Sequence, residues 1–192
     1  MNLLEIYDVE RSHMIDVLKK DCAEYIKVLQ QTRGTALLRG SKASYAKPGT
    51  LNIIQPRASR MPKDTDAAIH FYINHKLERK FGYKFRNGVF AISDFELAYH
   101  YGNVSIVFPI GPLQFLWSPQ ILDLYTYLQD EMDFDGSIHG DEFNERLDKI
   151  VDLYQKTDLA TAIKTHREVM LANKCYMVSL EDYKAIEKEL LS

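Results

Sequence analysis

The sequence predicts an α+β fold in a single domain, on three observations. Segments with strand-like and helix-like patterns are mixed along the 192 residues without a regular strand-helix-strand alternation. Hydrophobic residues make up 46% of the chain, which is enough for the core of one ordinary domain. No repeat, low-complexity segment or clear domain boundary interrupts it. We therefore expect an N-terminal helical segment at 1–33, a core at 34–180 and a C-terminal helix at 181–192.

Charge and cysteine content make several classes of protein improbable. The 24 basic and 27 acidic residues give a net charge of -3, so no global field favours nucleic acid or an anionic membrane. Cys22 and Cys175 lack a metal or redox spacing and are typical of buried thiols in a reducing compartment. The N-terminus lacks the apolar region of a signal peptide, and no apolar run reaches the roughly 18 residues of a membrane span. We expect a cytoplasmic protein without membrane contact.

Apolar spacing and capping residues predict the elements of the first half. Residues 12–31 have the three-and-four apolar spacing of an amphipathic helix, which Gly34 ends. The apolar run 36–38 predicts a buried strand that ends at Arg39. The next two elements are a strand at 51–54 and a helix that begins at Asp64 or Thr65 and ends before Gly82.

In the second half, the patterns predict short strands and capped helices in irregular order. Residues 89–92 predict a strand, and Ser93 with Glu96 forms the Ser-x-x-Glu capping box of a short helix. Glu168 opens an apolar strand at 168–171, for which we expect a hairpin partner at 175–178. The remaining predictions are strands at 104–109 and 113–117, helices from Ser118-Pro119 and at 141–155, and a last helix capped by Ser179 with Asp182.

Arg39 and Gly40 suit an anionic ligand. A guanidinium group makes bidentate hydrogen bonds to a diphosphate or carboxylate, and a glycine lets a ligand approach the backbone. The alternative is a solvated arginine followed by a turn glycine. This dipeptide does not by itself decide between the two.

Ser93 follows its strand and precedes a helix that is rich in aromatic residues. The hydroxyl can hold a neighbouring side chain in place. Phe90, Tyr99 and Tyr101 could offer a stacking face to a flat heterocycle. Alternatively, Ser93 is only a helix cap and the aromatic side chains belong to the core.

Glu168 lies at the start of an apolar strand. A carboxylate in this position can hydrogen-bond a sugar hydroxyl and stabilise the positive charge that develops as a glycosidic bond breaks. The alternative is an exposed charge at a strand edge.

Taken in order, these three pieces resemble the Arg-Ser-Glu pattern of the ADP-ribosyltransferase superfamily. The matching stretches are Leu38-Arg39-Gly40, Phe90-Ala91-Ile92-Ser93 and Glu168-Val169-Met170-Leu171. The resemblance extends over about 34–179, and the chain is also similar to phage-encoded proteins of this type. It implies two small antiparallel sheets split around a cleft for NAD, with the N-terminal and other helices at the periphery.

The resemblance also implies a reaction and a role for each residue. The reaction would be mono-ADP-ribosylation, in which NAD is the substrate, a protein or nucleic acid is the acceptor and nicotinamide is released. Arg39 would hold the pyrophosphate or the adjacent ribose, and the Gly40 backbone would contact the nicotinamide amide. Ser93 would position Glu168, which would bind the 2′-hydroxyl of the nicotinamide ribose. No metal is implied, and the oligomeric state is left open.

The acceptor is not identified by the pattern. Members that modify arginine usually have a second glutamate where this chain has His166, and several others have glutamine. A histidine could act as a general base toward a hydroxyl, a thiol or a nucleobase nitrogen, or it could be a surface residue with no role. Arg57 and Arg60 form a basic turn with Lys63 that could bind the adenosine phosphate of NAD or an anionic target, although a solvated turn is common.

A competing motif occupies residues 131–142. It is similar to a calcium loop of the EF-hand type, with Glu131, Asp133, Asp135, Gly136 and Glu142 at the expected places. If this loop were the functional motif, the protein would be a calcium-binding or other non-catalytic interaction module. An acidic solvated loop is the simpler interpretation.

Overall fold

The computed structural model describes residues 3–42, 46–61, 65–132 and 140–192. They form two antiparallel sheets surrounded by helices, which confirms the predicted α+β class. The helices are α1 (Leu3–Asp21), α2 (Ala23–Gln31), α3 (Ala67–Phe81), α4 (Phe95–Tyr99), α5 (Leu124–Met132), α6 (Asp141–Asp152), α7 (Leu159–Lys164) and α8 (Leu180–Leu190). The strands are β1 (Leu38–Ser41), β2 (Asn52–Ile54), β3 (Val89–Ala91), β4 (Asn103–Pro109), β5 (Phe115–Trp117), β6 (Val169–Leu171) and β7 (Cys175–Ser179).

The two sheets have four and three strands. The first has the order β1-β4-β7-β2, and the second has the order β3-β6-β5. An isolated bridge between Leu38 and Ile92 joins them, with backbone N···O distances of 2.7 and 2.9 Å. Because Leu38 begins β1 and Ile92 directly follows β3, the sheets meet where these two strands approach each other.

Two clusters of buried side chains cover the second sheet on opposite faces. Along β6, Val169 and Leu171 belong to the main cluster, whereas Met170 belongs to the second cluster. This alternation follows from the two-residue period of a strand. The main cluster gathers side chains from α1, α2, α7, α8 and the first sheet, and the second gathers those of α3, α5 and α6. The second sheet is therefore buried between the two clusters.

Some predicted helix boundaries were wrong. The helix expected over 12–31 is divided at Cys22 into α1 and α2. The cap of α3 is Asp66, whose carboxylate accepts from two backbone N–H groups of the first turn, and not Asp64 or Thr65. The predicted end of α3 is confirmed, because Gly82 has the left-handed φ of 87°. Capping rules narrow a helix start to a few polar residues, and tertiary packing selects among them.

Two serines do not begin helices as expected. Asp94 caps α4 by accepting from the N–H of Leu97, so Ser93 is not the first residue of a capping box. Ser118 accepts from the N–H groups of Gln120 and Ile121 in a turn, and α5 begins only at Leu124. Both hydroxyls are buried, and Ser93 is bonded elsewhere.

Arg39 lies inside a strand and not at the end of one. The apolar run 36–38 leads into β1, in which Arg39 pairs with Ser105 and Gly40 with Val104. The apolar pattern correctly predicted the buried residues 36–38 that lead into the strand. The strand itself is defined by its backbone pairing with β4, which the pattern does not report.

The predicted hairpin of β6 and β7 was also wrong. β6 pairs with β3 and β5, whereas β7 pairs with β4 and β2 in the other sheet. Asn173, in the connection, donates to the carbonyl oxygens of Ile110 and Pro112 and accepts from the N–H of Gln114. These bonds attach the connection to the β4–β5 loop, so the chain crosses between sheets. α7 was not predicted at all.

Two further predictions concern the membrane and calcium. No helix of the described chain is both long and apolar enough for a bilayer crossing. Most of the predicted calcium loop falls on residues 133–139, which lie outside the described residues. Among the residues that are described, no group of three or more His, Cys, Asp or Glu side chains could hold a metal ion.

Candidate functional site

The strand register brings together the three residues singled out from the sequence. Arg39 follows Leu38, which bridges Ile92, and Ser93 is the next residue after Ile92. Ala91 pairs with Val169 at the last position of the β3–β6 ladder, and Glu168 directly precedes Val169. Arg39, Ser93 and Glu168 thus occupy neighbouring backbone positions across β1 and the ends of β3 and β6.

Arg39 is partly buried at the junction of the sheets. Its Nη1 donates to the carbonyl oxygen of Phe90 over 2.9 Å. Its Nε is buried and has no hydrogen-bond partner within the described chain. Burial lowers the pKa of Arg39, and the nearby guanidinium of Arg57 lowers it further. The side chain is therefore anchored by one hydrogen bond and retains donors for an anion.

Gly40 is needed for packing. A Cβ atom on Gly40 would lie 1.7 Å from the carbonyl oxygen of Ala98 and 3.1 Å from the Cβ of Tyr101. α4 thus packs directly on the backbone of β1, which explains a glycine without any ligand. The contact with a nicotinamide amide stays a prediction.

Ser93 is buried and bonded to the end of α7. Its hydroxyl donates to the carbonyl oxygen of Ile163, and its Oγ lies 3.0 Å from Nδ1 of His166. The two residues that sequence analysis placed in the site are therefore in direct contact. The expected positioning of Glu168 by Ser93 is not a direct hydrogen bond, because both bonds of the hydroxyl go elsewhere.

The Glu168 carboxylate lies in an environment that resists ionisation. Burial, and then the negative charge of Asp123, raise its pKa to about 7, while Arg86 and Arg60 act in the opposite direction. No hydrogen bond to this carboxylate is formed by any of the described residues. Within the described chain Glu168 therefore has neighbouring charges but no hydrogen-bond partner, so its oxygens can accept from a ligand.

Arg60 brings a second guanidinium to the site. Its Cζ lies 3.7 Å from the centroid of the Phe90 ring, and its Nη1 donates to the carbonyl oxygen of Gly88 over 3.0 Å. Burial lowers the pKa of Arg60 to about 10, with further lowering from Arg39 and a smaller opposing effect of Glu168. One face of Phe90 is thus already covered by a cation.

Arg86 is a site residue that sequence analysis missed. It is only 5% exposed, and its Nε and Nη2 lie 3.3 Å from Nδ1 of His70 and 3.4 Å from Oγ1 of Thr65. Its charge acts on Glu168, as does that of Asp123, which was also missed. A buried arginine in a short 3-10 helix carries no periodicity or motif, so no sequence signal could have found it.

The remaining predicted residues lie around this centre. Arg57 is exposed but close enough to Arg39 to lower its pKa. Tyr99 and Tyr101 are 60% and 58% exposed, so they are not core residues. Tyr99 stacks on Phe95 at a ring-centroid distance of 6.0 Å. The aromatic face of α4 is thus accessible beside β1.

Positive charge is in excess at the site. Arg39, Arg57, Arg60 and Arg86 influence one another's pKa values or that of Glu168. Within the described chain, none of the four forms an ion pair with a carboxylate. Such a cluster suits a ligand that carries at least two negative charges.

The chain matches no protein-family model, and no curated protein or solved structure is significantly similar to it.

Proposed function

We propose that this protein is a mono-ADP-ribosyltransferase, which transfers ADP-ribose from NAD to a macromolecular acceptor and releases nicotinamide. The observation that carries the proposal is the strand register, in which Arg39, Ser93 and Glu168 become neighbours at the junction of the two sheets. These are the residue types, in the order, of the Arg-Ser-Glu pattern. Their neighbouring backbone positions support the proposal, because a shared site requires these residues to lie close together.

The arginine cluster supports NAD as the ligand. A dinucleotide carries a diphosphate, and guanidinium groups bind such an anion through several parallel hydrogen bonds. In this proposal Arg39 holds the diphosphate, with Arg57 and Arg60 available to the adenosine side. The exposed ring of Tyr99 offers a stacking face to a base.

Glu168 supplies the chemistry of bond cleavage. As a carboxylate it accepts a hydrogen bond from the 2′-hydroxyl of the nicotinamide ribose and stabilises the oxocarbenium-like charge that forms as nicotinamide departs. Burial strengthens this electrostatic effect, because a low local dielectric increases the interaction with a developing charge. The same burial explains why the carboxylate ionises only near neutral pH.

We also propose a cytoplasmic location, which is the host cytoplasm if the chain is phage-encoded. Cys22 and Cys175 are both free and buried, as expected for thiols in a reducing compartment. NAD is a cytoplasmic metabolite, so donor and protein would share one compartment.

The direct test measures nicotinamide release from NAD by the purified protein, with and without crude cell protein or nucleic acid. Glu168→Gln should lower release by roughly 10²-fold or more while NAD still raises the melting temperature, since the amide keeps the shape but not the charge. Glu181→Gln, on the exposed face of α8, is the matched control.

Three results separate the alternatives. An unchanged rate in Glu168→Gln would remove Glu168 from the mechanism. NAD binding without any release would indicate a non-catalytic interaction module. Neither release nor an NAD-induced rise in melting temperature would overturn the transferase proposal.

A further inference from the structure

The hydrogen bonds of Ser93 determine the tautomer of His166. The Ser93 hydroxyl is bonded both to the carbonyl oxygen of Ile163 and to Nδ1 of His166. A carbonyl oxygen only accepts, so the single hydroxyl proton is used in the bond to Ile163. The bond to His166 must then run in the other direction, with an Nδ1–H group donating to Oγ. In the neutral ring, the lone pair is therefore left on Nε2.

The backbone of His166 is held in an uncommon conformation. Its φ is 53°, in the left-handed region that residues other than glycine seldom adopt. The N–H of His166 donates to Ile163, and the N–H of Arg167 donates to Ala162, which closes the end of α7. The side chain is nevertheless exposed. The left-handed conformation of His166 is a common ending of a helix, so the end of α7 fixes the backbone of His166 while its side chain stays exposed.

His166 lies next to the proposed reaction centre along the chain. It precedes Glu168 by two residues, so the Cα atoms of the two residues are at most about 7 Å apart. The backbone of His166 is therefore close to that of the residue whose carboxylate would bind the ribose. The acceptor must approach the same ribose carbon, so it has to pass this part of the surface.

Local charge restricts the kind of acceptor. Four guanidinium groups without ion-pair partners in the described chain repel a lysine or arginine side chain. A thiol already ionises to a small extent near neutral pH. A hydroxyl group does not, and therefore gains most from a base that removes its proton during attack.

We propose that His166 is the catalytic base for a hydroxyl acceptor and that Ser93 is the residue that positions it. The inference rests on the proposed transferase function. The hydroxyl oxygen forms a bond to C1′ of the nicotinamide ribose, and the bond from C1′ to the pyridinium nitrogen breaks with its electron pair passing to nicotinamide. The hydroxyl proton moves to Nε2 of His166 and then to water. The products are O-linked ADP-ribose, neutral nicotinamide and one proton.

The tautomer is tested by ¹⁵N NMR of protein labelled at histidine, at a pH where the ring is neutral. The His166 signals are assigned by their loss in His166→Asn, because asparagine tolerates positive φ. We expect a protonated Nδ1 and an unprotonated Nε2, and a mixture of tautomers in Ser93→Ala. A protonated Nε2 in the wild type, or no change in Ser93→Ala, would overturn the positioning role.

The base is tested with NAD and methanol as the acceptor, by quantifying methyl ADP-ribose and nicotinamide. His166→Asn should lower the rate of methyl ADP-ribose formation by about 10²-fold, while the NAD-induced rise in melting temperature is retained. His75→Gln, which changes an exposed histidine of α3, is the control and should have no effect. A rate of methyl ADP-ribose formation that is unaltered in His166→Asn overturns the role of His166 as the base and leaves the transferase proposal standing. Absence of nicotinamide release from the wild type overturns the transferase proposal and this inference together.

Discussion

At the scale of single residues, the site is governed by one carboxylate among several cations. Glu168 is destabilised as an anion by burial and by Asp123, and stabilised by Arg86 and Arg60. The first pair of effects is larger, so the pKa rises. Because catalysis in our proposal needs the carboxylate form, these opposing effects set the pH range in which the protein is active.

Activity should depend on pH through Glu168. With a pKa of about 7, the carboxyl group is protonated in acid, so nicotinamide release should fall as pH decreases through 7. Arg86→Met removes a cation that favours the carboxylate, so the midpoint should move to higher pH. The control is Arg79→Met, on an exposed part of α3, with folding checked by circular dichroism. An unmoved midpoint in Arg86→Met would contradict the assignment.

The free energy of unfolding should also depend on pH through the Glu168 carboxyl group, but in the opposite direction to the activity. The folded protein holds the Glu168 proton up to about pH 7, whereas an unfolded chain releases it near pH 4.5, so stability falls as pH rises between these values. Glu168→Gln removes this loss of stability, because the glutamine side chain does not ionise. At pH 8 its free energy of unfolding should exceed that of the wild type by about 3 kcal/mol, with little difference at pH 4. Urea denaturation at the two pH values measures it, and a difference independent of pH would count against it.

At the scale of elements, the close contact of α4 with β1 shapes the surface beside Arg39. The carbonyl oxygen of Ala98 lies over Gly40, and the connection from α4 into β4 continues at Gly102. Backbone cannot move aside as a flexible side chain does. The short helix is therefore held at a fixed distance from the strand that carries Arg39, which keeps the aromatic side chains of α4 beside the site.

A methyl group at Gly40 should separate these two elements. Gly40→Ala places Cβ 1.7 Å from a backbone oxygen, and relief of that clash should cost about 2–3 kcal/mol of unfolding free energy. Gly82→Ala is the comparison, because its Cβ meets nothing within 4 Å and only its left-handed φ is unfavourable. That strain amounts to about 1 kcal/mol. Equal melting temperatures for the two variants would show that α4 does not pack on β1 as described.

At the scale of the whole molecule, the second sheet couples the two clusters. β6 contributes Val169 to the main cluster and Met170 to the second, and β5 contributes Trp117 and Leu116 in the same way. Loss of either cluster exposes one face of a three-stranded sheet. We therefore expect both clusters to unfold together.

The single tryptophan of the chain reports on this coupling. Trp117 belongs to the main cluster, whereas Leu147 of α6 belongs to the second. Leu147→Ala should cost about 2–5 kcal/mol and lower the midpoint of tryptophan fluorescence together with that of circular dichroism. Glu145→Ala, at an exposed position of α6, is the control. A fluorescence midpoint that stays unchanged while the helical signal shifts would mean that the clusters unfold independently.

Local chemistry predicted much of the fold. Amphipathic spacing, glycine stops and serine or aspartate caps found most helices, and Ser179 does cap α8 by accepting from Asp182. Predicted helix boundaries were wrong where several neighbouring polar residues could cap the helix, as at Asp66. The break between α1 and α2 at Cys22 was not predicted, because the apolar stripe of the helix continues through this residue. The predicted β6–β7 hairpin was wrong because Asn173 binds the connection between these strands to the β4–β5 loop. This contact joins residues that are far apart in sequence.

The α+β class, most of the elements and the position of Arg39, Ser93 and Glu168 in or beside strands could be predicted from local patterns. These follow from interactions between residues near in sequence, which periodicity and capping report. The bond between Ser93 and His166 and the proximity of Arg86 to Glu168 are visible only in the folded chain. The physical reason is that strand pairing and buried charge depend on which distant surfaces are excluded from water together, and no local pattern contains that information.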